Sequence, residues 1–324
     1  MTSVVRIART GGPEVMTIET TSPAGPGPGE VWLEQEAVGV NFLDVTQRNG
    51  AVPIALPSGL GLEGAGRVAA VGAGVANVHE GDLVAYATGP LGAYASGRLY
   101  PAERLVHIPQ RLTPLDAAAV LFKGITAQYL LKSTYPVGPG TIIVLYGVAG
   151  GVGQIMTRWA KHLGAFVIGI VSKQESVALA ETLGCDAVLV FNPETLAADV
   201  AKITNGKKAD VVYDPIGKVS FNASLDSLRP RGLLVSFGAS SGAPPAIEVG
   251  TLNAKGSLFL TRPSIAAHTA NAQEYRQRAD DVLAAVAAGI IKPAIWNTYP
   301  LDRVADAHAA LEQGKSAGAI VLRP

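Results

Sequence analysis

Residues 141–163 read Thr141-Ile-Ile-Val-Leu-Tyr146-Gly147-Val-Ala-Gly150-Gly-Val-Gly153-Gln-Ile-Met-Thr-Arg-Trp-Ala-Lys-His-Leu163, and this stretch decides the fold. The unbroken apolar run at its start suits a parallel strand buried on both faces. After the glycine-rich turn, Ile155, Trp159 and Leu163 fall on one i, i+4 stripe beside Met156 and Ala160, which predicts a helix stopped by Gly164. The turn departs from Gly-x-Gly-x-x-Gly because Val148 stands at the second glycine; it reads Gly147-x-x-Gly150-x-x-Gly153. The physical requirements are still met. Gly150 and Gly151 let a pyrophosphate approach the backbone, Gly153 lets the helix pack on the strand, and the helix N-terminus faces the anion. Ala149, Gly150, Gly151, Val152 and Gly153 are therefore candidate dinucleotide contacts, the competing reading being a plain tight turn between strand and helix.

On the C-terminal side the alternation continues: strand 166–171, helix 175–183, strand 187–191, helix 194–204, strand 210–213, helix 220–228, then strands 232–237 and 257–261. Strand and helix alternating at this interval predict an α/β class with a doubly wound parallel sheet. A last helix, about 272–288, and a strand at 318–322 lie beyond that sheet and are expected to return to the first domain. On the N-terminal side, residues 4–121 read as short strands broken by turns, including Ser22-Pro-Ala-Gly-Pro-Gly-Pro-Gly29. Seven glycines between Gly59 and Gly81 suit a curled, barrel-like antiparallel sheet. From Pro114 the spacing turns helical, first over 114–122 and again over 126–132.

Lys+Arg and Asp+Glu number 26 each, so the formal net charge is +0. A phosphate-backbone groove needs a surplus of cations, which argues against nucleic acid as a partner. With 48% hydrophobic and 16% charged residues the chain is globular rather than disordered. Its 324 residues suffice for about two domains at ~150 residues each. The single Cys185 forms no internal disulfide, and the five histidines lack metal-ligand spacing, so no metal site is expected. The start Met1-Thr-Ser-Val-Val-Arg lacks the apolar core of a signal peptide, and no run approaches the ~18 apolar residues of a membrane span. A soluble, cytoplasmic protein without a membrane partner is expected.

Further candidates follow from position. Ser172 and Lys173 stand at the end of the second strand, where an acidic residue would hold a ribose 2′-hydroxyl; a hydroxyl and an ammonium suit a 2′-phosphate and favour NADPH over NADH. The competing reading of Lys173 is a solvated residue capping the strand end. Asn41 and Asp44 follow a strand ending at Val40 and place polar groups near a ligand; alternatively, Asp44 and Arg48 form a surface ion pair at a helix start. Lys123 interrupts the apolar run 120–122 at the predicted join between domains, where dinucleotide sites are common, or else snorkels. Thr126 either donates to a nicotinamide amide or caps the helix that follows. Cys185, in a helix-to-strand turn, reads as structural, and no Gly-x-Ser-x-Gly elbow supports nucleophilic catalysis.

Asn41-Phe-Leu-Asp-Val-Thr-Gln-Arg-Asn-Gly50, Gly61-Leu-Glu-Gly-Ala-Gly66, Ala149-Gly-Gly-Val-Gly153, Val211-Val-Tyr-Asp-Pro-Ile-Gly217, Gly232-Leu-Leu-Val-Ser-Phe-Gly-Ala-Ser-Ser-Gly242 and Gly256-Ser-Leu-Phe-Leu-Thr-Arg-Pro-Ser264 together resemble the zinc-free, zeta-crystallin-like NADPH:quinone oxidoreductases of the medium-chain dehydrogenase/reductase superfamily. The likeness runs in order over nearly the whole chain. It implies a GroES-like β-rich catalytic domain over 1–122 and 265–324, and a Rossmann NADP-binding domain over 123–264. It also implies a homodimer in which the last Rossmann strand, near 257–261, pairs with its twin. Zinc-dependent relatives carry a cysteine at Asn41 and Gly-His-Glu at Gly61-Leu-Glu63, so both metal positions are lost. The family pattern assigns cofactor contacts to Asn41, Asp44, Thr126, Tyr129, the 149–153 turn, Ser172, Lys173, Phe237, Gly238 and Ser240. Ser176, Phe191 and Gly314 stand where bacterial relatives carry lysine, tyrosine and arginine around the 2′-phosphate, leaving Lys173 and Lys315 as the nearby cations. Tyrosines of the quinone pocket are replaced by Thr46 and Val52, which implies a wider pocket with less ring stacking.

The implied activity is hydride transfer from NADPH to a quinone, catalysed by proximity, orientation and exclusion of water. Asn41 would orient the nicotinamide or the acceptor oxygen and Lys123 would polarise developing negative charge, with solvent completing protonation. The alternative within the fold is reduction of the C=C bond of α,β-unsaturated ketones or aldehydes, which requires a proton delivered to carbon. A third reading, an RNA-binding or structural crystallin-type role, is disfavoured by zero net charge and by Lys207-Lys208 being the only basic run.

Overall fold

The computed structural model describes residues 1–324. Strand β1 (Thr2–Ile7) pairs antiparallel with β2 (Met16–Thr21). Strand β3 (Glu30–Val40) buries Val31, Leu33 and Gln35 on alternate positions and becomes continuously buried from Ala37 onward. Helix α1 (Phe42–Asn49) begins directly after it and stops at Gly50, whose φ of 88° an L side chain rarely adopts. Then come β4 (Ser58–Gly59), β5 (Glu63–Val71), β6 (Leu83–Ala87), β7 (Gly97–Pro101), β8 (Val106–His107) and α2 (Pro114–Tyr129). Strands are thus the prevailing regular structure of residues 4–121, with α1 and the start of α2 as helices among them.

Helix α2 is one continuous element that runs on into a π-helical turn, Leu130–Thr134, where the sequence suggested two separate helical stretches. Gly124 does not break it. The helix packs so closely on a later one that a Cβ at Gly124 would lie 2.5 Å from Val282 Cγ1. Because Thr126 lies inside α2, the helix-capping role considered for it does not apply.

The chain divides into two units, Met1–Ile125 with Thr269–Pro324, and Thr126–His268, so the boundary falls within α2. The second unit holds β9 (Ile142–Tyr146), α3 (Gly151–His162), β10 (Phe166–Val171), α4 (Val177–Thr182), β11 (Ala187–Val190), α5 (Leu196–Ile203), β12 (Ala209–Asp214), α6 (Phe221–Asp226), β13 (Leu228–Ser236), α7 (Val249–Ala254), β14 (Phe259–Thr261) and α8 (Ile265–His268). Its six strands are all parallel, in the order β11-β10-β9-β12-β13-β14. The chain winds outward from β9 in both directions, so the strand order reverses at β9, the place where such sheets bind ligands outside their carboxyl ends. Two boundaries differ from the sequence reading. A 3-10 turn, Gln174–Ser176, precedes a shorter α4, and β13 begins at Leu228, where residues expected to end a helix already pair with Ala209.

The chain then returns to the first unit as α9 (Ala272–Ala287), β15 (Ile295–Pro300), α10 (Val304–Glu312) and β16 (Ala319–Arg323). Helix α9 is therefore not the last one. Strand β16 joins the large sheet, pairing Ile320 with Val40, and gives the order β15-β16-β3-β5-β6-β8 with β7 also on β3. Its pairs are antiparallel except β15 with β16. The core of this unit gathers Val31, Leu33, Val38, Tyr86, Tyr94, Tyr100 and Leu322. That of the parallel unit gathers Val144, Ile168, Ile170, Val212 and Leu234 beneath its helices.

Candidate active site

In the first unit the turn from β3 into α1 sets Asn41 at the helix N-cap, with extended backbone. Its side-chain amide bridges two buried charges. Lys123 Nζ donates to Asn41 Oδ1 at 2.9 Å, and Asn41 Nδ2 donates to Glu63 Oε2 at 2.9 Å. Lys123 Nζ also pairs with Glu63 Oε2 at 3.2 Å, and Glu63 Oε1 accepts the Phe122 N–H at 2.7 Å. Glu63 is 0% exposed, Asn41 5% and Lys123 6%, so the three polar groups pair with one another away from water. Register places Gly39 opposite Glu63, and a Cβ there would overlap both the Glu63 carboxylate and the Ala118 carbonyl. Lys123 is thus an engaged buried ammonium rather than a snorkelling one. An ammonium has three donors and two are used, which leaves one N–H without a protein partner.

Glu63 was not among the residues singled out from sequence, although the quoted Gly61-Leu-Glu63 contains it. A lone acidic residue in a glycine-rich strand carries no mark of the partners that β3 and α2 bring to it.

Asp44 and Arg48 do not pair with each other, which corrects the surface ion-pair reading. Asp44 is 0% exposed; its Oδ2 accepts the Asn41 N–H at 2.9 Å and the Tyr94 hydroxyl at 2.8 Å, while Oδ1 receives no hydrogen bond from the protein. Tyr94 Oη lies 2.8 Å from His308 Nε2, and His308 Nδ1 lies 3.2 Å from Arg48 Nη1. Arg48 forks onto Glu312 at 2.6 and 3.1 Å and donates to the Gly11 carbonyl. Burial, with the nearby Glu63 charge, pushes the Asp44 carboxyl up to about 7, against the Asn41 N–H, the Tyr94 hydroxyl and the Lys123 ammonium. Burial, then the Arg48 charge, lowers His308 to about 3, so this imidazole is neutral at ordinary pH.

In the second unit the turn after β9 uses φ of 66° at Gly147, and α3 starts at Gly151 with Gly150 as its extended N-cap. The first N–H groups of a helix have no partner within it, so this end offers amide donors to an anion. A Cβ at Gly153 would overlap the Gly147 carbonyl, whereas the nearest atom to one at Gly150 is Gly147 O at 3.3 Å. Ser172 and Lys173 follow β10 and are exposed; Ser176 ends the 3-10 turn half-buried. Phe191 sets its ring against Tyr146 at 5.6 Å. Phe237, Gly238 and Ser240 follow β13 and lie along the loop after β12, with Phe237 N on Asp214 O and Ser240 N on Pro215 O.

That loop is tied by Asp214, whose carboxylate accepts from Ile216 N, Gly217 N, Ser220 Oγ and Ser224 Oγ. Asp214 is a second structural organiser passed over in sequence, though it stands in the quoted Val211-Val-Tyr-Asp motif. The carboxyl ends of β9, β10, β11 and β13 therefore carry the expected dinucleotide residues of this unit other than Thr126 and Tyr129, which lie in α2. Tyr129 stacks on His268 with centroids 4.3 Å apart, and Thr126 is buried in α2. Lys315 is exposed after α10 and belongs to the first unit. Cys185 has its thiol pushed up to about 11, mainly by burial, so it stays protonated at neutral pH and is no nucleophile.

The family model for the alcohol dehydrogenase GroES-like domain matches residues 27–110, and that for zinc-binding dehydrogenases matches 151–285. A zinc ion does not fit the residues present. The positions the resemblance identifies hold the Asn41 amide and Leu62, the Lys123 ammonium contacts Glu63, and no group of three or more His, Cys, Asp or Glu side chains converges anywhere. The β-rich unit and the doubly wound parallel unit together define a medium-chain dehydrogenase/reductase.

A quinone oxidoreductase of Pseudomonas aeruginosa is 42% identical over 325 residues, spanning all of both chains. A 2-haloacrylate reductase of a Burkholderia species is 42% identical over 98% of each. The crystal structure of Escherichia coli quinone oxidoreductase complexed with NADPH superposes with a TM-score of 0.95 at 39% identity, covering 99% of this chain and 100% of that one. The chain belongs to the quinone oxidoreductase family of the medium-chain dehydrogenases/reductases.

Proposed function

We propose that this protein is an NADPH-dependent quinone reductase. The observation that carries the reading is the buried Asn41, Lys123 and Glu63 set, which holds one ammonium N–H free to meet negative charge on an acceptor oxygen. In a site that excludes water, a preorganised donor of this kind stabilises developing charge without reorganisation. Glu63 keeps the ammonium compensated, and Asn41 links the two while its backbone opens α1. When bound, NADPH supplies the hydride.

The α/β unit suits that group at the Gly150 end of α3, where the first helical amides have no partner within the helix. On this unit the proposed contacts are Thr126, Tyr129, residues 149–153, Ser172, Lys173, Ser176, Phe191, Phe237, Gly238 and Ser240; on the other they are Asn41, Asp44 and Lys315. The E. coli relative complexed with NADPH supports that choice.

Purified protein is expected to oxidise NADPH when a quinone is added and to melt at a higher temperature with NADPH present. Absence of both would overturn the reading. Running NADH in parallel measures the selectivity for NADPH that the residues around the 2′-phosphate supply. A second reading, reduction of an α,β-unsaturated carbonyl, is favoured by the 2-haloacrylate reductase relative, and a panel of quinones and enones separates the two.

The protein is further proposed to be a cytoplasmic homodimer. No helix is long and apolar enough to cross a membrane, and β14 is an edge strand whose Phe259 is 61% exposed, an arrangement suited to pairing with a second copy.

A further inference from the structure

Hydride addition leaves a negative charge on the acceptor, which a proton must balance. One buried group outside the Asn41, Lys123 and Glu63 set bears on it. A guanidinium has five donors and no acceptor, so across the 3.2 Å contact Arg48 Nη1 donates and His308 Nδ1 accepts. The neutral imidazole then carries its proton on Nε2 and donates to Tyr94 Oη at 2.8 Å. With its oxygen so engaged, the Tyr94 hydroxyl donates to Asp44 Oδ2 at 2.8 Å. The Asn41 N–H reaches the same oxygen. Every link of the chain from α10 and α1 therefore points at Oδ2, which leaves Oδ1, buried and without a hydrogen-bond partner, as the place for a carboxyl proton.

We propose that Asp44 is the general acid of the site, giving its Oδ1 proton to the reduced acceptor, with Tyr94, His308 and Arg48 as a positioning chain that steadies the carboxylate left behind. The proposal rests on the reductase reading and extends it toward acceptors that need a proton on carbon. In balance, the hydride supplies both electrons, the Asp44 O–H bond breaks, and its proton ends on the acceptor atom holding the charge. Because Asp44 is fully buried, it regains a proton only through water that enters the site after the product leaves.

The groups facing Asp44 make this workable. Burial and the Glu63 carboxylate hold its proton on near neutral pH, while Lys123 and the Tyr94 hydroxyl favour its loss. Arg48 is matched by Glu312 and adds no net charge as a pair. His308 is kept neutral by burial and Arg48, so it does not compete for the proton.

The test compares wild type, Asp44→Asn and Tyr94→Phe in two measurements. The first follows the protonated-carboxyl C=O stretching band by infrared titration. A band titrating near 7 is expected in wild type, absent in Asp44→Asn, and shifted to higher pH in Tyr94→Phe, which loses a bond to the charged form. The second is NADPH-dependent turnover of an enone and a quinone against pH. Removal of a general acid costs about 10²–10⁴-fold. The enone kcat is expected to fall by this much in Asp44→Asn and to lose its alkaline limb, whereas the quinone kcat, whose product solvent can protonate, falls roughly tenfold or less. Titration of the band in the ordinary aspartate range, or equal loss with both acceptors, overturns the assignment. If Asp44→Asn does not fold, the wild-type and Tyr94→Phe titrations and enone profiles decide it. A wild type that turns over neither acceptor overturns the reductase reading, and the infrared titration still judges Asp44.

Discussion

Asp44 and His308 exchange their ordinary protonation states on folding. Between about pH 4 and 6.5 an unfolded chain keeps the aspartate charged and the histidine protonated; the native chain holds the proton on Asp44, raised to about 7, and leaves His308, lowered to about 3, neutral. The signs follow from proton counting. A raised Asp44 means the native state binds the extra proton, so its contribution is present below about 4 and is lost as pH rises toward 7. A lowered His308 means the unfolded state binds the extra proton, so that contribution is present above about 6.5 and is lost as pH falls toward 3. Over the shared window the two slopes oppose and largely cancel. Asp44→Asn is expected to leave stability rising with pH from 4 to 6.5, and His308→Gln to leave it falling. Each limiting slope is about 1.4 kcal/mol per pH unit. Urea melts at several pH values check this, and parallel slopes in the two variants would contradict it. The residue types were plain in the sequence. That Asp44 meets Tyr94 rather than Arg48, one turn along its own helix, depends on a partner 50 residues away.

At the scale of the element, two glycines of one turn do different work. Gly153 has its missing Cβ filled by the backbone of Gly147 and Val148, so a side chain there must push β9 and α3 apart. Gly150 has extended backbone that any L residue adopts, has more room, and stands as the N-cap at the amide end of α3. Gly153→Ala is therefore expected to destabilise the protein by about 1–3 kcal/mol, the usual cost of overpacking. Gly150→Ala is expected to fold normally and to raise the KM for NADPH at least tenfold. Melting curves and NADPH titrations of the two variants separate packing from ligand room; equal melting temperatures would contradict the division. The sequence was informative here because strand, turn and helix are contiguous. Its lapses were the join at 122–126, where the helical spacing read as two stretches although α2 is continuous, and the missed α10. In α2, glycine is retained because Val282 packs against the gap, a contact no local pattern contains.

At the scale of the whole molecule, β14 ends the parallel sheet with its outer backbone edge unpaired and Phe259 exposed beside it. Phe259→Lys, a charge on an edge strand, is expected to convert the proposed dimer to monomer in sedimentation, and an unchanged mass would reject β14 as the interface. The parallel sheet was legible from residues 141–261 because each strand and its crossover helix are neighbours in the chain, and periodicity records local burial. The glycine turn, the α/β class and the loss of the zinc ligands at Asn41 and Leu62 were likewise determined by the sequence alone. Tertiary structure decided the rest. It drew β16 back onto β3, converted Lys123 from an oddity in an apolar run into a partner of Asn41 and Glu63, and aimed a chain from Arg48 to Asp44. The reason is physical: a buried polar group must find its partners wherever the fold brings them, and those partners stand 22 to 260 residues apart in sequence, beyond any local spacing.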